Sequence, residues 1–537
     1  MKTAIQLLDC TLRDGAYITG GDFGAPCIQG IIRKCEKANV DVIECGWLKN
    51  DLHREGSSYY HVPNDMMKYC TEKDPQKTYV VMIDWDRYNL DQLPVCDNKS
   101  LDAIRVVFPH GKHHEGIAVA AEIKKKGYKV FLQAANTLAY SDDELIALAL
   151  EVNALNPVAL SVVDTFGAMY PEDLDRIVNI LDRELNGEIA LGFHSHNNLQ
   201  LSFSLCIHFA AALYGKRNVM IDSSLCGMGR GAGNAPTELV ANFLNQKYHK
   251  NYDMNEFFDA IDMYMPPFQE KYTWGYSTPY CIAGMYQCHV NNIAYLLKNH
   301  RTNSRDMHNV IESLSVDDRR KYDYDLLESK YLENQARKYD DGLNVENLKK
   351  EIGNRNVLLI GPGKTTRDEF DKIADYIKQK DPIVIFVNAL NPLYEGDFLF
   401  LISSIRYDYA QEVHMEQFKT VKKILLSNIK RSKPLSDELI INYESVVKRG
   451  WTYFDNAIIT CLRLMNRLSV KNVGVAGLDK FLSNYNESYA DPYLPTLTTN
   501  HDYNLLNREI QSILDDFVAT VDGTMNVEFV TTTGFKK

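Results

Sequence analysis

The chain has 537 residues, of which 45% are hydrophobic and 24% charged, and its formal net charge is −12 at pH 7. This length exceeds that of one ordinary hydrophobic core, so we predict two or more domains. The acidic balance, without any dense basic run, argues against nucleic acid and anionic membranes as partners.

The sequence has no apolar run long enough to span a bilayer, and its first residues turn acidic at Asp9, too soon for a signal peptide. The 11 cysteines are scattered and form no C-x-x-C pair. Free thiols in a reducing compartment explain this usage best, so we expect a cytoplasmic protein.

The first 240 residues alternate between short apolar runs and amphipathic stretches with a period of 3.6 residues. The strand candidates are 5–10, 40–45, 78–84, 103–108, 129–134, 158–164, 189–194 and 219–224. Eight such βα units predict an α/β fold in which residues 1–245 close into a (β/α)8 TIM barrel. A doubly wound open sheet is the alternative, but no glycine fingerprint follows the first strand.

Polar side chains gather where these strands end, which is the edge that carries the active site in barrels of this kind. Arg13 and Asp14 follow the first strand, Glu44 lies near the end of the second, and His110 follows the fourth. The eighth strand runs into the glycine-rich loop 227–238, whose backbone can come close to a ligand.

The seventh strand ends in His194-Ser195-His196, and because strand side chains alternate, both imidazoles project to the same side. One carboxylate, from Asp14, and two imidazoles suffice as the protein half of a divalent metal site with positions open for water and substrate. Mn²⁺, Mg²⁺, Co²⁺ and Zn²⁺ all suit this set, which does not choose between them.

Beyond the barrel, residues 246–345 are predicted to form a helical extension that ends in a polar linker, 315–347. Residues 346–537 alternate again and predict a Rossmann-like open α/β domain. Its predicted strands are 356–360, 383–387, 398–403, 423–427 and 472–476, with a helix over 456–468.

The first strand of this second domain is followed by Gly361-Pro362-Gly363-Lys364-Thr365, which invites comparison with phosphate-binding loops. The Walker pattern needs glycine where Leu358 stands, and the dinucleotide pattern needs glycine where Thr366 stands. What remains is a strand–GxG–helix turn. Its backbone N–H groups hold a phosphate, or the turn is only structural, and both interpretations stay open.

Three motifs in order, LRDG at 12–15, HSHN at 194–197 and the loop 231–238, resemble the DRE-TIM metallolyase (HMGL-like) superfamily. That group includes HMG-CoA lyase, isopropylmalate synthase and 4-hydroxy-2-oxovalerate aldolase. The resemblance covers about the first 300 residues. Residues 164–167 and 283–297 are most similar to the 4-hydroxy-2-oxovalerate aldolase branch.

The resemblance implies a role for each matching residue. Asp14, His194 and His196 are expected to hold the metal, which chelates a 2-oxo acid, and Asn234 to complete or support the metal shell. Mn²⁺ or Mg²⁺ is expected first, with Co²⁺ or Zn²⁺ as alternatives. Arg13 is expected to stabilise the enolate oxygen, and Glu44 to orient Arg13 or a metal-bound water.

The sequence departs from the branch at one position. The aldolases place a histidine base three residues after the metal aspartate, and here Tyr17 stands there. The acid/base is therefore Tyr17 in a tuned environment, or His110, or a metal-bound water. With tyrosine at this position the sequence resembles family members of surface-polysaccharide biosynthesis, and this resemblance implies a sugar-related aldehyde as acceptor.

In the second domain, residues 386–388, 475–479 and 529–533 are weakly similar to a bacterial sialyltransferase-like family. This resemblance implies a bound nucleotide or nucleotide-sugar. Barrels of the metallolyase group commonly associate, so a homo-oligomer is expected by resemblance alone.

The leading hypothesis is a divalent-metal-dependent aldolase that cleaves or forms a C–C bond through a pyruvate-type enolate. One alternative is a Claisen-type acyl-CoA condensing enzyme similar to isopropylmalate synthase. Another is a non-catalytic protein that retains a metal or nucleotide, a reading that Tyr17 in place of histidine keeps open.

Overall fold

The structure is a computed structural model that describes residues 4–300, 302–335, 339–431, 435–452, 456–482, 486–495 and 502–536. The chain forms two compact units. The first contains Met1–Ile293 and Ser315–Tyr322, and the second contains Ala294–Leu314 and Asp323–Lys537. The predicted division at residues 245 and 345 stays a prediction.

The first unit is built on eight parallel strands that close into a barrel, as the alternating pattern predicts. Each strand pairs with its successor, and the first pairs with both the second and the eighth, for example Leu8 with Val42 and Ile5 with Val219. In chain order, strands β1 to β8 are Ile5–Asp9, Val42–Leu48, Thr78–Asp84, Ala103–Phe108, Lys129–Ala134, Ala159–Asp164, Ala190–Ser195 and Val219–Ser223. A short strand, Tyr59–Tyr60, adds to the edge of β2.

Helices surround the barrel and bury one apolar stripe each against the strands. In the first long helix Ile28, Ile31, Ile32 and Cys35 are buried, a spacing that places them on one face. The long helices are Ala25–Lys37, His113–Lys125, Asp142–Leu155, Pro171–Glu184, Ser202–Leu213, Thr237–Tyr248 and Met254–Tyr264. Shorter helices and 3₁₀ turns are Thr11–Asp14, Ala16–Thr19, Pro63–Lys68, Leu90–Gln92, Thr137–Ala139, Leu225–Gly227, Pro266–Lys271, Thr278–Met285 and Val316–Arg320.

The interior of the barrel changes from apolar to charged along its axis. Near the amino ends of the strands, one apolar side chain from each strand fills the inside, forming the layer Leu8, Val42, Val80, Ala103, Phe131, Ala159, Ala190 and Met220. Farther along the same strands, buried charged or titratable side chains point inward, including Glu44, Arg105, His194 and Asp222. The apolar layer closes one end of the barrel, and the charged side chains lie beneath the functional end.

The second unit is an open sheet of seven parallel strands, which confirms the predicted α/β domain. In chain order, β9 to β15 are Val357–Ile360, Ile383–Val387, Phe398–Leu401, Lys422–Leu426, Glu438–Ile441, Asn472–Ala476 and Asn526–Phe529. Their order in the sheet is β13-β12-β11-β10-β9-β14-β15, so the winding reverses between β9 and β14. The two edge strands β13 and β15 are absent from the prediction, because both are short and only partly buried.

Two apolar clusters cover the two faces of this sheet, as expected for strands buried on both sides. The helices of the unit and its 3₁₀ turns are Ser304–Ser313, Tyr324–Gln335, Gly342–Ile352, Thr365–Asp368, Phe370–Lys380, Ser404–Val413, Met415–Thr420, Tyr443–Ser445, Ala457–Arg467, Asn486–Ser488 and Tyr503–Val521.

The segment 246–345 is largely helical, as predicted, and the two compact units share it. One helix, Val290–Asn299, spans the division at residue 293. Helices also occupy most of the described part of the predicted linker 315–347, and residues 336–338 of that linker lie outside the described residues. Its role as a linker stays a prediction.

The described helices include none that is long and apolar enough to cross a membrane. All 11 cysteines lie in the described parts of the chain as free thiols, and most are buried or half-buried, in agreement with the scattered spacing.

Arg217, which precedes β8, forms hydrogen bonds along the segment that leads into β7. Its buried guanidinium donates to Asp182 Oδ1 at 2.7 Å and to four backbone carbonyl oxygens, those of Asp182, Leu185, Asn186 and Ile189, at 2.7–2.9 Å. One side chain therefore donates to four backbone acceptors between Asp182 and Ile189.

We predict that Arg217→Leu lowers the free energy of unfolding by about 3 kcal/mol, because buried carbonyl groups lose charged donors. Urea unfolding of the full chain measures this loss. Arg183→Leu is the matched control, because Arg183 is 66% exposed and pairs with neighbouring Glu184 at the surface, so its loss should stay within about 0.5 kcal/mol. Equal losses in the two variants would contradict the role given to Arg217.

Candidate active site

The three predicted metal ligands lie together at the carboxyl ends of β1 and β7. Asp14 ends the short helix Thr11–Asp14 that follows β1, His194 lies within β7, and His196 comes directly after it. One ligand atom from each lies within 4.8 Å of the others, and all three residues are buried. The set can hold a metal ion and leaves coordination positions for water and substrate.

Asp14 is held ionised by its neighbours. Burial alone raises the pKa of its carboxyl, but the charge of Arg13, the two histidines and a hydrogen bond from Asn234 together lower it to about 2. Arg13 Nη1 donates to Asp14 Oδ1 at 2.8 Å. The carboxylate is therefore available as a negatively charged ligand at neutral pH.

The two imidazoles are positioned differently. His194 Nδ1 lies 3.2 Å from Asp222 Oδ2, which leaves Nε2 for a cation, an arrangement common among metal-binding histidines. His196 lies with its Nδ1 3.9 Å from Asp14 Oδ2, and burial lowers its pKa to about 4. His196 is therefore neutral at pH 7, which is the state that ligates a metal.

Asn234 and the glycine loop complete this cluster. The Asn234 amide donates to Asp14 Oδ2 and to the carbonyl oxygen of Met228. A side chain at Gly229 would collide with both Asn234 and Asp14, so the loop approaches the carboxylate only because glycine stands there. The loop thus brings an amide to the carboxylate that is the predicted ligand.

The buried polar atoms around this cluster fit a bound cation and an anionic ligand. Among the described residues, His196 Nδ1, the Asn234 carbonyl oxygen Oδ1 and the Arg13 donor Nη2 have no hydrogen-bond partner. Buried groups of this kind normally find partners. Acceptors beside Asp14 suit a metal ion, and a free guanidinium N–H suits an oxyanion.

A charged network under the cluster fixes Arg13 in place. Arg13 Nε donates to Glu44 Oε2 at 2.8 Å, and Arg105 Nη1 donates to the same oxygen at 2.8 Å. Arg105 also donates to Asp222, which faces His194. The predicted link between Glu44 and Arg13 is therefore a direct hydrogen bond.

Tyr17 lies above the metal cluster, with its side chain partly exposed. Its ring packs edge-on against Trp47 at 5.7 Å and lies 5.0 Å from the Arg230 guanidinium carbon. Burial of the hydroxyl raises its pKa to about 12, in spite of Arg230 and Arg13. A raised pKa keeps the phenol protonated at neutral pH and suits it to donating a proton, and the acid/base role of Tyr17 stays a prediction.

His110 lies in the same cavity but pairs with Glu144, from Nε2 to Oε1 at 3.1 Å, and packs edge-on against Tyr140. This cavity has a volume of about 840 Å³ and includes Arg13, Tyr17, His110 and both cluster histidines in its wall. The structure thus brings five of the predicted residues to one cavity. Asp14, Glu44 and Asn234 lie buried behind its floor.

The sequence interpretation gave no role to four residues that belong to this region: Arg105, Asp222, Arg230 and His289. Asp222 was detectable in principle, because it is the only charged residue in the apolar strand Val219–Ser223. Arg230 and His289 lie 59 residues apart, and nothing in the sequence indicates that their side chains meet.

The GxG turn of the second unit already uses its own N–H groups. The N–H groups of residue 361 and of residues 363–366 all donate to protein oxygens, and that of Thr365 donates to Asp479 Oδ2 at 2.8 Å. The Thr365 hydroxyl donates to the other Asp479 oxygen at 2.7 Å. A carboxylate therefore occupies the place that a phosphate would take, so the turn gives the predicted nucleotide no support.

Comparison with known proteins places the first unit in a family. Residues 110–263 match the HMGL-like family model. The chain is 30% identical over 274 residues to 4-hydroxy-2-oxovalerate aldolase 2 of Salinispora arenicola, a match that covers 49% of this chain and 74% of that relative. The chain belongs to the HMGL-like family. The resemblance to the DRE-TIM metallolyase superfamily seen in the three motifs is thereby confirmed.

Two further relatives show the range of this HMGL-like group. The chain is 27% identical over 282 residues to 4-hydroxy-2-oxovalerate aldolase of Geobacillus genomosp. 3, covering 50% of this chain and 79% of the relative. It is 23% identical over 266 residues to oxaloacetate decarboxylase of Mycobacterium tuberculosis, a match that covers 47% of this chain and 74% of that relative. These matches cover about half of this chain, and the sialyltransferase-like resemblance of the second unit stays a prediction.

We predict that the HMGL-like barrel binds one equivalent of Mn²⁺ and that His194→Ala with His196→Ala abolishes this binding, because two of three protein ligands are lost. Isothermal titration calorimetry and metal analysis after gel filtration measure the stoichiometry. The matched control is His113→Ala with His114→Ala, since these residues form, with Glu151, a second His/His/Glu group outside the cluster. Loss of the ion from this control alone would refute the assignment.

Proposed function

We propose that this chain is a divalent-metal-dependent carbon–carbon lyase that cleaves or forms a bond next to a 2-oxo acid through a pyruvate-type enolate. The observation that carries the proposal is Arg13, buried beside Asp14, His194 and His196 with a guanidinium nitrogen that donates to no acceptor in the described part of the chain. Membership of the HMGL-like family supports it. The names of the relatives, an aldolase and a decarboxylase, both denote enzymes that act on 2-oxo acids.

Asp14, His194 and His196, supported by Asn234, would hold the ion. A divalent cation bound there supplies an electrophile for the carboxylate and carbonyl oxygens of the 2-oxo acid. The donor set of one carboxylate and two imidazoles suits Mn²⁺ or Mg²⁺, and Co²⁺ or Zn²⁺ are alternatives.

Arg13 would stabilise the negative charge that develops on the carbonyl oxygen as the C–C bond breaks or forms. Its other two nitrogens donate to Asp14 and Glu44, so the guanidinium plane is fixed before substrate arrives. The charges of Glu44 and Asp14 also hold the pKa of Arg13 well above its usual value, despite the opposing effect of burial. A fixed, permanently charged donor is suited to stabilising an oxyanion.

Tyr17 would protonate the oxygen of the acceptor aldehyde during C–C bond formation, and would remove that proton in the reverse direction. Its pKa of about 12 makes the phenol a proton donor across the neutral range. His110 is a weaker candidate, because its Nε2 already faces Glu144.

Exchange of the pyruvate methyl protons for deuterium, followed by NMR with and without Mn²⁺, tests the proposal without knowledge of the acceptor. We expect metal-dependent exchange in the wild type and a loss of about 10²-fold or more in Arg13→Lys, because lysine cannot reproduce the fork of donors. Lys49→Gln is the control, since Lys49 carries a charge near the mouth but pairs with Asp84. No exchange in wild type with metal bound would sink the enolate proposal, and thiol release from acetyl-CoA would then favour a Claisen-type condensing enzyme.

We expect Tyr17→Phe to lower aldehyde-dependent turnover by about 10²-fold, the usual contribution of a general acid, and to leave the fold unchanged. Tyr17 is active as an acid when protonated. With a pKa of about 12 it stays protonated from pH 6 to pH 9, so its titration should remove no wild-type turnover over that range. If Tyr17→Phe turned over aldehyde at the wild-type rate and with the wild-type pH profile, another group would transfer the proton.

A further inference from the structure

The cavity at the mouth of the barrel is larger than a 2-oxo acid with a small aldehyde requires. Its volume of about 840 Å³ lies toward the upper end of the range for small-molecule sites, which is roughly 300–1,000 Å³. Both cluster histidines line this cavity, and residues 317 and 320–322, from a distant part of the chain, line it as well. The cavity therefore has room for more of a substrate than a 2-oxo acid.

The wall of this cavity is positively charged, although the chain as a whole carries a net charge of −12. Its described lining contains six cationic side chains, Arg13, Arg87, Lys112, Arg230, Arg320 and Lys321, of which Arg13 is already paired with Asp14 and Glu44. It contains only three carboxylates, Asp84, Asp86 and Asp317, and one of these, Asp84, pairs with Lys49. An excess of one sign in a cleft attracts ligands of the opposite sign.

Arg230 differs from the other cations in the partners that hold it. Its Nη2 lies 2.6 Å from His289 Nε2 and 3.2 Å from Asn291 Oδ1, and its guanidinium lies over the Tyr17 ring. Burial, and the charge of Arg230, lower the pKa of His289 to about 2, so this ring is neutral. These partners of Arg230 are uncharged, so they position its charge without neutralising it.

The position of Arg230 is fixed from a second direction. The backbone N–H of His289 donates to the backbone carbonyl oxygen of Arg319 at 2.8 Å, and the Arg320 guanidinium donates to Gln287 Oε1 at 2.7 Å. The segment Ser315–Tyr322 thus supports the loop that holds Arg230 and adds its own cations to the wall. Because these contacts already hold Arg230 in place, its side chain loses little conformational freedom when a ligand binds, which favours affinity.

Resting on the proposed function, we propose that the acceptor is an anionic aldehyde, bearing a phosphate or a carboxylate, and that Arg230 determines this specificity. In the synthetic direction C3 of the enolate forms a bond to the aldehyde carbon, and the aldehyde oxygen takes up a proton. The anionic group of the acceptor lies away from that carbon, where a fixed guanidinium beside Tyr17 can bind it with two hydrogen bonds.

Paired acceptors test this proposal in the Mn²⁺-loaded full-length protein with pyruvate. The pairs are D-glyceraldehyde 3-phosphate with D-glyceraldehyde, and succinic semialdehyde with butyraldehyde, so that the phosphate and carboxylate arms are separate. For at least one pair we expect the wild type to favour the anionic member in kcat/KM by about 10-fold or more. Arg230→Gln should reduce that preference by about 10-fold, and Arg230→Lys should restore part of it.

Lys112→Gln is the matched control, because Lys112 lines the same mouth but pairs with Glu115 at 2.7 Å. It removes one positive charge and should change the preference by less than about 2-fold. Calorimetry adds a readout without turnover: glycerol 3-phosphate should bind the wild type more tightly than glycerol does, and Arg230→Gln should remove the difference.

The outcomes separate this proposal from the function on which it rests. Pyruvate proton exchange without any preference for anionic acceptors would overturn the acceptor assignment and leave the enolate chemistry standing. A raised KM for pyruvate in Arg230→Gln, with the acceptor preference unchanged, would place Arg230 on the 2-oxo acid and also overturn it. No proton exchange in wild type would remove both proposals.

Discussion

The buried ion network between Arg13, Glu44, Arg105 and Asp222 is the interaction on which the rest of the first unit depends. Removing such charges from water is costly unless each finds a partner, and here each guanidinium lies between two carboxylates. With Asp14 included, two guanidiniums face three carboxylates and leave one negative charge. On the function proposed above, a divalent cation and the single carboxylate of a 2-oxo acid would bring the total to zero.

The barrel fold of the first unit could be predicted from the sequence, because strands buried on both faces appear as short apolar runs separated by stretches with helical periodicity. Polar residues at the ends of those runs, Asp14, His194 and His196, meet as the closed barrel requires. The pairing of Arg105 with Asp222 could not be read, since these residues lie 117 positions apart on strands that face each other across the interior. The pKa of Tyr17 also depends on burial, which spacing does not report.

The second unit shows how a local pattern can mislead. The turn 361–366 has the glycines and the threonine of a phosphate loop, and it lies at the place where open parallel sheets often bind ligands. The strand neighbouring it in the sheet, however, is followed by Asp479, whose carboxylate accepts from the backbone and the hydroxyl of Thr365. A side chain at Gly363 would collide with Asp479 and with the carbonyl oxygen of Gly477, so this glycine allows close packing within the protein.

The path of the chain through its two units has a consequence for modularity. The barrel unit ends at Ile293, the chain contributes Ala294–Leu314 to the other unit, and it then returns for Ser315–Tyr322 before leaving again. Those eight residues bring Arg320 and Lys321 to the cavity wall. No single cut in the polypeptide therefore separates the two units intact. A gene fragment ending near residue 293 would encode Asp14, His194 and His196 but lack Arg320 and Lys321, and a fragment that keeps the whole cavity wall must extend to Tyr322 and carry Ala294–Leu314 with it.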